Sequence, residues 1–281
     1  MVIMHKYHGL GNDYLVFDPN ENQMKLQERE IERLCRRNFG VGADGILYGP
    51  LFGDGKIYVD IYNPDGREVE QSGNGVRIFA KYLRDAGYVT EQSFILTTKA
   101  GDVEVEFLEE DGNCMRANMG KADFMSAAIV TEDTSCETEL VNEPLLFHGT
   151  LYNTTCLSLG NPHCVIMTED VSGSSIKELG PYVENASYFP GRMNLQLCRV
   201  EGRNRLRAET YERGAGYTMA SGTGACAAAA AAYRLGLVDS LVTVAMPGGE
   251  LMIEIGEEGD IFMTGPVEKV GTFTLAENFF S

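Results

Sequence analysis

Between Gln27 and Arg37 the apolar residues Ile31, Leu34 and Cys35 recur at helical spacing among charges, predicting an amphipathic surface helix stopped by Asn38 and Gly40. The rest of the apolar signal is mostly shorter, alternating or rich in β-branched residues. Runs at Lys56–Tyr62, Ser93–Thr97, Val103–Phe107, Cys156–Leu159, Val165–Met167, Leu241–Ala245 and Leu251–Ile255 predict short strands joined by glycine-rich turns. Helical spacing returns after Gly75, where Val76, Ile78, Phe79, Tyr82 and Leu83 predict a helix to about Asp85, and after Gly224, where Ala225–Leu235 predicts another. The last helix is almost all alanine, so strands can close tightly around it.

These last two helices share an opening. Each follows a Ser-Gly-X-Gly turn, Ser72-Gly73-Asn74-Gly75 and Ser221-Gly222-Thr223-Gly224, and the serines lie 149 positions apart (221 less 72). Leu10-Gly11-Asn12 and Leu159-Gly160-Asn161, Tyr62 and Tyr211, and Gly87-x-Val89 and Gly236-x-Val238 keep the same offset. A long period repeated once argues for two similar half-domains, not a solenoid. The expected fold is α/β, two pseudo-symmetric domains that each wrap a curved mixed or antiparallel sheet around a central helix. Their expected spans are 1–121, joined by 266–281, and 122–265, with Glu110–Lys121 composed like a linker and a ligand cleft between the halves.

Composition narrows the partners. A net charge of −18 repels polyanions and argues against nucleic acid. No cleavable apolar leader and no bilayer-length apolar run is evident, so the expectation is a cytoplasmic protein without a membrane partner. The seven cysteines (35, 114, 136, 156, 164, 198 and 226) form no CxxC pair, so neither a disulfide framework nor a metal site is expected. They read as buried small hydrophobes. The sequons at Asn153 and Asn185 read as chance matches.

Gly40-Val-Gly42-Ala-Asp-Gly45 fits a dinucleotide fingerprint but follows a helix and leads into β-like Ile46-Leu-Tyr48, so it is assigned to a tight loop. The Ser-Gly turns read as N-caps, and their pairing favours an anion cradle of helix N-terminal amides suited to a carboxylate. Glu212 and Arg213 read as a surface ion pair or as holders of an ammonium and a carboxylate. Asn12, Asn63, Asn161 and Asn194 read as turn formers that together could serve a zwitterion, and His163 as a structural histidine or a base.

The segments His8-Gly-Leu-Gly-Asn-Asp13, Arg37–Gly45, Tyr62-Asn-Pro-Asp-Gly66, Ser72–Gly75, Leu159-Gly-Asn-Pro-His163, Arg192-Met-Asn194, Glu212–Gly216 and Ser221–Ala225 resemble, in order and over nearly the whole chain, diaminopimelate epimerases. The resemblance implies two pseudo-symmetric α/β domains, a homodimer and no cofactor. It also implies inversion of one α-carbon of LL-diaminopimelate to the meso form, for lysine and cell-wall precursor synthesis. The catalytic positions fall on Ser72 and Ser221, both cysteines in the family, where one thiolate removes the α-proton and the other thiol returns one. Asn12, Asn63, Asn161, Asn194, Glu212 and Arg213 would recognise the distal amino-acid end, and the amides of Gly73, Asn74, Gly222 and Thr223 the reacting carboxylate. His163 would be an accessory residue.

Serine departs from that pattern where it matters. A helix terminus can turn a thiol of pKa about 8.5 into a thiolate, whereas serine needs an adjacent base that neither turn evidently supplies. The expectation is an inactive or impaired form, as a Cys→Ser change made to trap a ligand or prevent thiol oxidation would give. Tyr217, where the family usually has Glu, and Pro64, where Ala is common, leave open a racemase of another amino acid such as histidine. A non-catalytic amino-acid-binding protein is the other alternative.

Overall fold

The computed structural model describes residues 2–125 and 139–280, and Cys136 lies outside them. The chain divides into two compact units, Met1–Ala117 with Gly265–Ser281, and Asn118–Thr264.

The first unit carries β1 (Val2–Gly9), β2 (Asn12–Phe17), α1 (Glu28–Cys35), β3 (Ile46–Gly53), β4 (Lys56–Tyr62), β5 (Glu68–Val69), α2 (Gly73–Asp85), β6 (Ser93–Thr98) and β7 (Gly101–Phe107), with the start of β8 (Cys114–Lys121). Strand β2 pairs antiparallel with β1 and parallel with β3, and β4 pairs antiparallel with β3 and parallel with β6. Every residue of β2 is buried, because helices cover both faces of its sheet. Leu15 and Phe17 pack toward α1, with Ile31, Leu34 and Cys35. The opposite face meets α2, which is buried from Gly73 to Leu83.

The second unit repeats this plan. It carries β9 (Glu143–Phe147), β10 (Thr150–Ser158), β11 (Pro162–Met167), α3 (Gly173–Glu184), β12 (Asn194–Gly202), β13 (Arg205–Glu212), β14 (Gly216–Thr218), α4 (Gly222–Arg234), β15 (Leu241–Met246), β16 (Gly249–Ile255) and most of β17 (Asp260–Pro266); β18 (Glu268–Leu275) returns to the first unit beside β1. The register repeats too: Leu15 opposite Ile46 becomes Cys164 opposite Leu195, and Tyr62 opposite Glu68 becomes Tyr211 opposite Tyr217. Helix α4 runs among β10, β11, β12, β13, β15 and β16. It is buried from Gly222 to Ala232, where alanine alone leaves room for close strands. On the other face Ile176, Leu179 and Val183 of α3 pack with Cys156, Cys164, Ile166, Leu195 and Leu197.

Two expectations need correction. Glu110–Lys121, within which the two units divide, is not an irregular linker, because Cys114–Lys121 is β8, antiparallel to β7. Its charges hide a period of two that buries Met115, Ala117 and Met119 on one side. Nor do α2 and α4 begin after their glycine turns. The Gly-X-Gly residues form the first helical turn, with Ser72 and Ser221 as N-caps. Gly40-x-Gly42-x-x-Gly45 is a loop ahead of β3, as its context implies.

Candidate active site

Ser72 Oγ accepts a hydrogen bond from the Gly75 amide at 3.1 Å, and Ser221 Oγ accepts one from the Gly224 amide at 3.2 Å. That fold-back leaves little room for a side chain at the third position. A Cβ on Gly75 would lie 3.1 Å from Ser72 Cβ, and one on Gly224 would lie 3.0 Å from both Ser221 Cβ and Oγ. The remaining first-turn amides point out of each helix end, beside the positive end of its dipole.

In the first unit, Leu15 and Phe17 face α1, so alternation along β2 turns Tyr14 toward α2. The Tyr14 hydroxyl lies 3.0 Å from Ser72 Oγ. Asn12 is 4% exposed, donating through Nδ2 to Asp44 Oδ2 at 2.9 Å and accepting from Asn74 Nδ2 at 3.0 Å. Asn74 in turn accepts from the fully buried Arg77 at 2.7 Å. Asp44 and Asp13 share Arg37, and Lys6 reaches Asp13 at 2.7 Å. Burial pushes the Asp13 carboxyl upward, but hydrogen bonds and charge from Arg37 and Lys6 outweigh it and hold it below its ordinary range. Asn63 stands apart from this network. Its backbone brackets the β4–β5 turn, donating to Arg67 O at 2.9 Å and accepting from Gly66 at 3.0 Å, with half-buried Pro64 inside.

In the second unit a carboxylate meets the capping serine. Glu212 ends β13, and the short hairpin to β14 carries Thr218 back beside it. Glu212 accepts from Thr218 Oγ1 at 2.7 Å and from Ser221 Oγ at 3.1 Å. Glu212 therefore faces the helix cap through its carboxylate. A carboxylate thus stands within hydrogen-bond reach of Ser221, brought there by the hairpin.

Asn194 donates to Pro162 O at 2.7 Å and accepts from the Arg213 amide at 2.8 Å, tying β11 to the Glu212 turn. Glu184 accepts from the Gly214 amide at 2.7 Å and pairs with Arg192, bracing the same turn. Arg213 donates to Gly191 O at 3.1 Å. Asn161 donates to Thr223 Oγ1 at 3.3 Å, as Asn74 bonds to Asn12 in the first unit.

His163 is wholly buried, and burial pushes its pKa down to about 4, with the Arg213 charge adding to the shift. It is neutral near pH 7 and carries one ring proton. Its Nε2 lies 2.9 Å from Asn161 Oδ1 and its Nδ1 lies 3.1 Å from the Gln196 side chain. Exchanging the terminal O and N of Gln196 gives its buried, otherwise unpartnered Nε2 an acceptor in Nδ1 and leaves the ring proton for Asn161.

Tyr217 points away from this cluster. Its ring packs with the α3 core, Lys177 Nζ sits 4.3 Å above it, and burial raises the carboxyl of nearby Glu209. The departure at 217 thus meets α3 and not the capping serine.

Each unit therefore gathers most of its candidates around its own helix end: Asn12, Ser72, Gly73 and Asn74 in one, and Asn161, His163, Asn194, Glu212, Arg213, Ser221, Gly222 and Thr223 in the other. Tyr14, Thr218, Arg77, Gln196 and Glu184 had no signal of their own in the sequence. Tyr14 was reachable through the repeat, since 149 positions on stands His163. Among the described residues no cluster of His, Cys, Asp and Glu suits a metal ion, and no helix is long and apolar enough to cross a membrane. The helix end of the second unit offers amides, hydroxyls and one carboxylate, groups able to transfer a proton beside a bound carboxylate.

Known proteins resemble the chain in sequence and in fold. Residues 4–125 and 155–270 match the family profile described as diaminopimelate epimerase. The chain is 41% identical over 279 residues to diaminopimelate epimerase 2 of Nostoc sp., covering 99% of this chain and 96% of that protein. It is 38% identical to the diaminopimelate epimerase of Synechocystis sp., covering 94% and 95%. Among solved structures, a probable proline racemase from Agrobacterium radiobacter superposes with a TM-score of 0.71 at 13% identity, over 99% of this chain and 93% of that one. A hydroxyproline epimerase from Agrobacterium vitis gives 0.72 at 12%, over 97% and 91%; at such identity these two speak for the fold alone. With both halves matched in sequence and the repeated helix caps in place, the chain belongs to the diaminopimelate epimerase family.

Proposed function

We propose that this protein is an isomerase that converts LL-diaminopimelate to the meso form without a cofactor, exchanging the α-proton through the side chains at 72 and 221. The observation that carries the reading is near-full-length identity of 41% to a protein named for that reaction. The Ser72 and Ser221 caps support it, because each presents a hydroxyl at a helix N-terminus whose amides stabilise a carboxylate gaining charge as the α-carbon loses its proton. In this reading the amides of Gly73, Asn74, Gly222 and Thr223 hold that carboxylate, Asn12, Asn63, Asn161, Asn194 and Arg213 recognise the distal end, and Glu212, grouped with them by the resemblance, stands at Ser221 instead. His163, neutral and enclosed, acts by holding Asn161 in place. The working form is a cytoplasmic homodimer.

Serine makes the reaction slow, since an alkoxide is far less accessible than a thiolate. The test is Ser72→Cys together with Ser221→Cys, followed by deuterium wash-in at the α-carbon of diaminopimelate. We expect a gain of about a hundredfold or more, the scale of one well-matched general acid or base. No wash-in with diaminopimelate from the double variant would overturn the reading.

A further inference from the structure

We propose that Tyr14 is the positioning residue that lets a serine at 72 deliver a proton, so that the two serines are specialised, 72 as donor and 221 as acceptor. This rests on the epimerase reading above.

The geometry differs at the two caps in a way the repeat makes plain. Ser221 gives its own proton to Glu212 at 3.1 Å, while its oxygen accepts from the Gly224 amide. The repeat position of Glu212 in the first unit is Asn63, which is uncharged. Ser72 has instead a phenol at 3.0 Å and the Gly75 amide at 3.1 Å. With both donating, the Ser72 oxygen is filled by two donors and its own proton remains to be given away. The repeat position of Tyr14 is His163, whose ring nitrogens meet Asn161 and Gln196 and not Ser221. Each serine therefore has a partner that its counterpart lacks.

The phenol is held in place by a dedicated space. Tyr14 is 6% exposed, and a Cβ on Gly45 would lie 2.6 Å from its Cε1 and 2.5 Å from Tyr62 O. The last glycine of the loop that imitates a dinucleotide fingerprint is thus where the Tyr14 ring passes on its way to Ser72.

The step balances. The α-carbon proton moves to Ser221 Oγ as the Ser221 proton moves to the Glu212 carboxylate. Ser72 Oγ–H protonates the carbanion as the Tyr14 O–H proton moves to Ser72 Oγ, leaving a phenolate. Water then takes the proton from Glu212 and returns one to Tyr14. A phenol gives up its proton more readily than an aliphatic alcohol, which makes this accessible where a bare alkoxide is not.

The test uses five full-length proteins: the chain as it stands, Tyr14→Phe, Ser72→Cys, those two changes combined, and Ser72→Cys with Ser221→Cys. Deuterium wash-in at the α-carbon of diaminopimelate is measured across substrate concentrations. In the serine background we expect Tyr14→Phe to lower kcat roughly ten- to a hundredfold, the scale of a hydrogen bond to a developing charge, with KM held within about twofold. In the Ser72→Cys background the same change should cost less than about threefold, because a thiol near pKa 8.5 needs no phenol. Equal losses in both backgrounds would show a merely structural tyrosine and overturn the inference. Wash-in confined to the cysteine proteins would also overturn it while leaving the epimerase reading intact, whereas none in any protein, the Ser72→Cys/Ser221→Cys variant included, would fell both.

Discussion

At the scale of single residues, the repeat supplies equivalent positions and substitution gives them different work. Tyr14 and His163 occupy one repeat position and Asn63 and Glu212 another, so a phenol stands by Ser72 and a carboxylate by Ser221. His163 carries a cost of its own at low pH. Its pKa is pushed from 6.5 to about 4, first by burial and further by the Arg213 charge. Above pH 6.5 neither folded nor unfolded chain binds this proton; as pH falls below 6.5 the unfolded chain takes it up and the folded chain does not. Stability is therefore lost between pH 6.5 and about 4, in total about 3 kcal/mol from this group, and the loss levels off below. His163→Gln should flatten that part of a stability-against-pH curve measured by urea unfolding, whatever it does to stability at pH 7.

At the scale of elements, each central helix is built by what its face must tolerate. Helix α2 buries Arg77 and Lys81, the first reaching Asn74 and the second Asp85 at 2.5 Å, so its polar residues serve the interior. Helix α4 solves the same enclosure with alanine, and Ala229 is fully buried among its strands. Ala229→Leu should overpack this space and destabilise the protein by about 1–3 kcal/mol, read as a lowered midpoint in chemical denaturation with little change in slope. Strand β8 shows the converse, a charged stretch whose Met115, Ala117 and Met119 are buried.

At the scale of the molecule, the repeat extends to pairing. Each unit joins its two hairpins through a parallel strand pair, β2 with β3 and β11 with β12, with a helix in the crossover. That handling of the chain fixes where the capping serine emerges. The net charge of −18 opposes association of two copies at low ionic strength. The proposed homodimer should therefore scatter light as two chains at about 0.15 M salt, where screening reaches only about 8 Å, and dissociate more readily as salt is removed. A mass of one chain at all salt concentrations would count against the dimer.

The sequence by itself determined the duplication, the two buried helices, their serine caps and the loop nature of the glycine-rich segment. Each of these rests on local spacing: a period, a cap residue, or a glycine where a side chain would collide. It also held most of the candidate residues, because the repeat marks their positions. The partners of the two serines were decided by tertiary structure alone. Tyr14 lies 58 residues from Ser72 and reaches it because β2 is flanked on both faces, which turns alternate side chains to α2. Glu212 lies only nine residues from Ser221, yet it is the β13–β14 hairpin that turns its carboxylate back to the helix cap. Periodicity records which face a side chain takes; strand register and crossover decide what waits on that face.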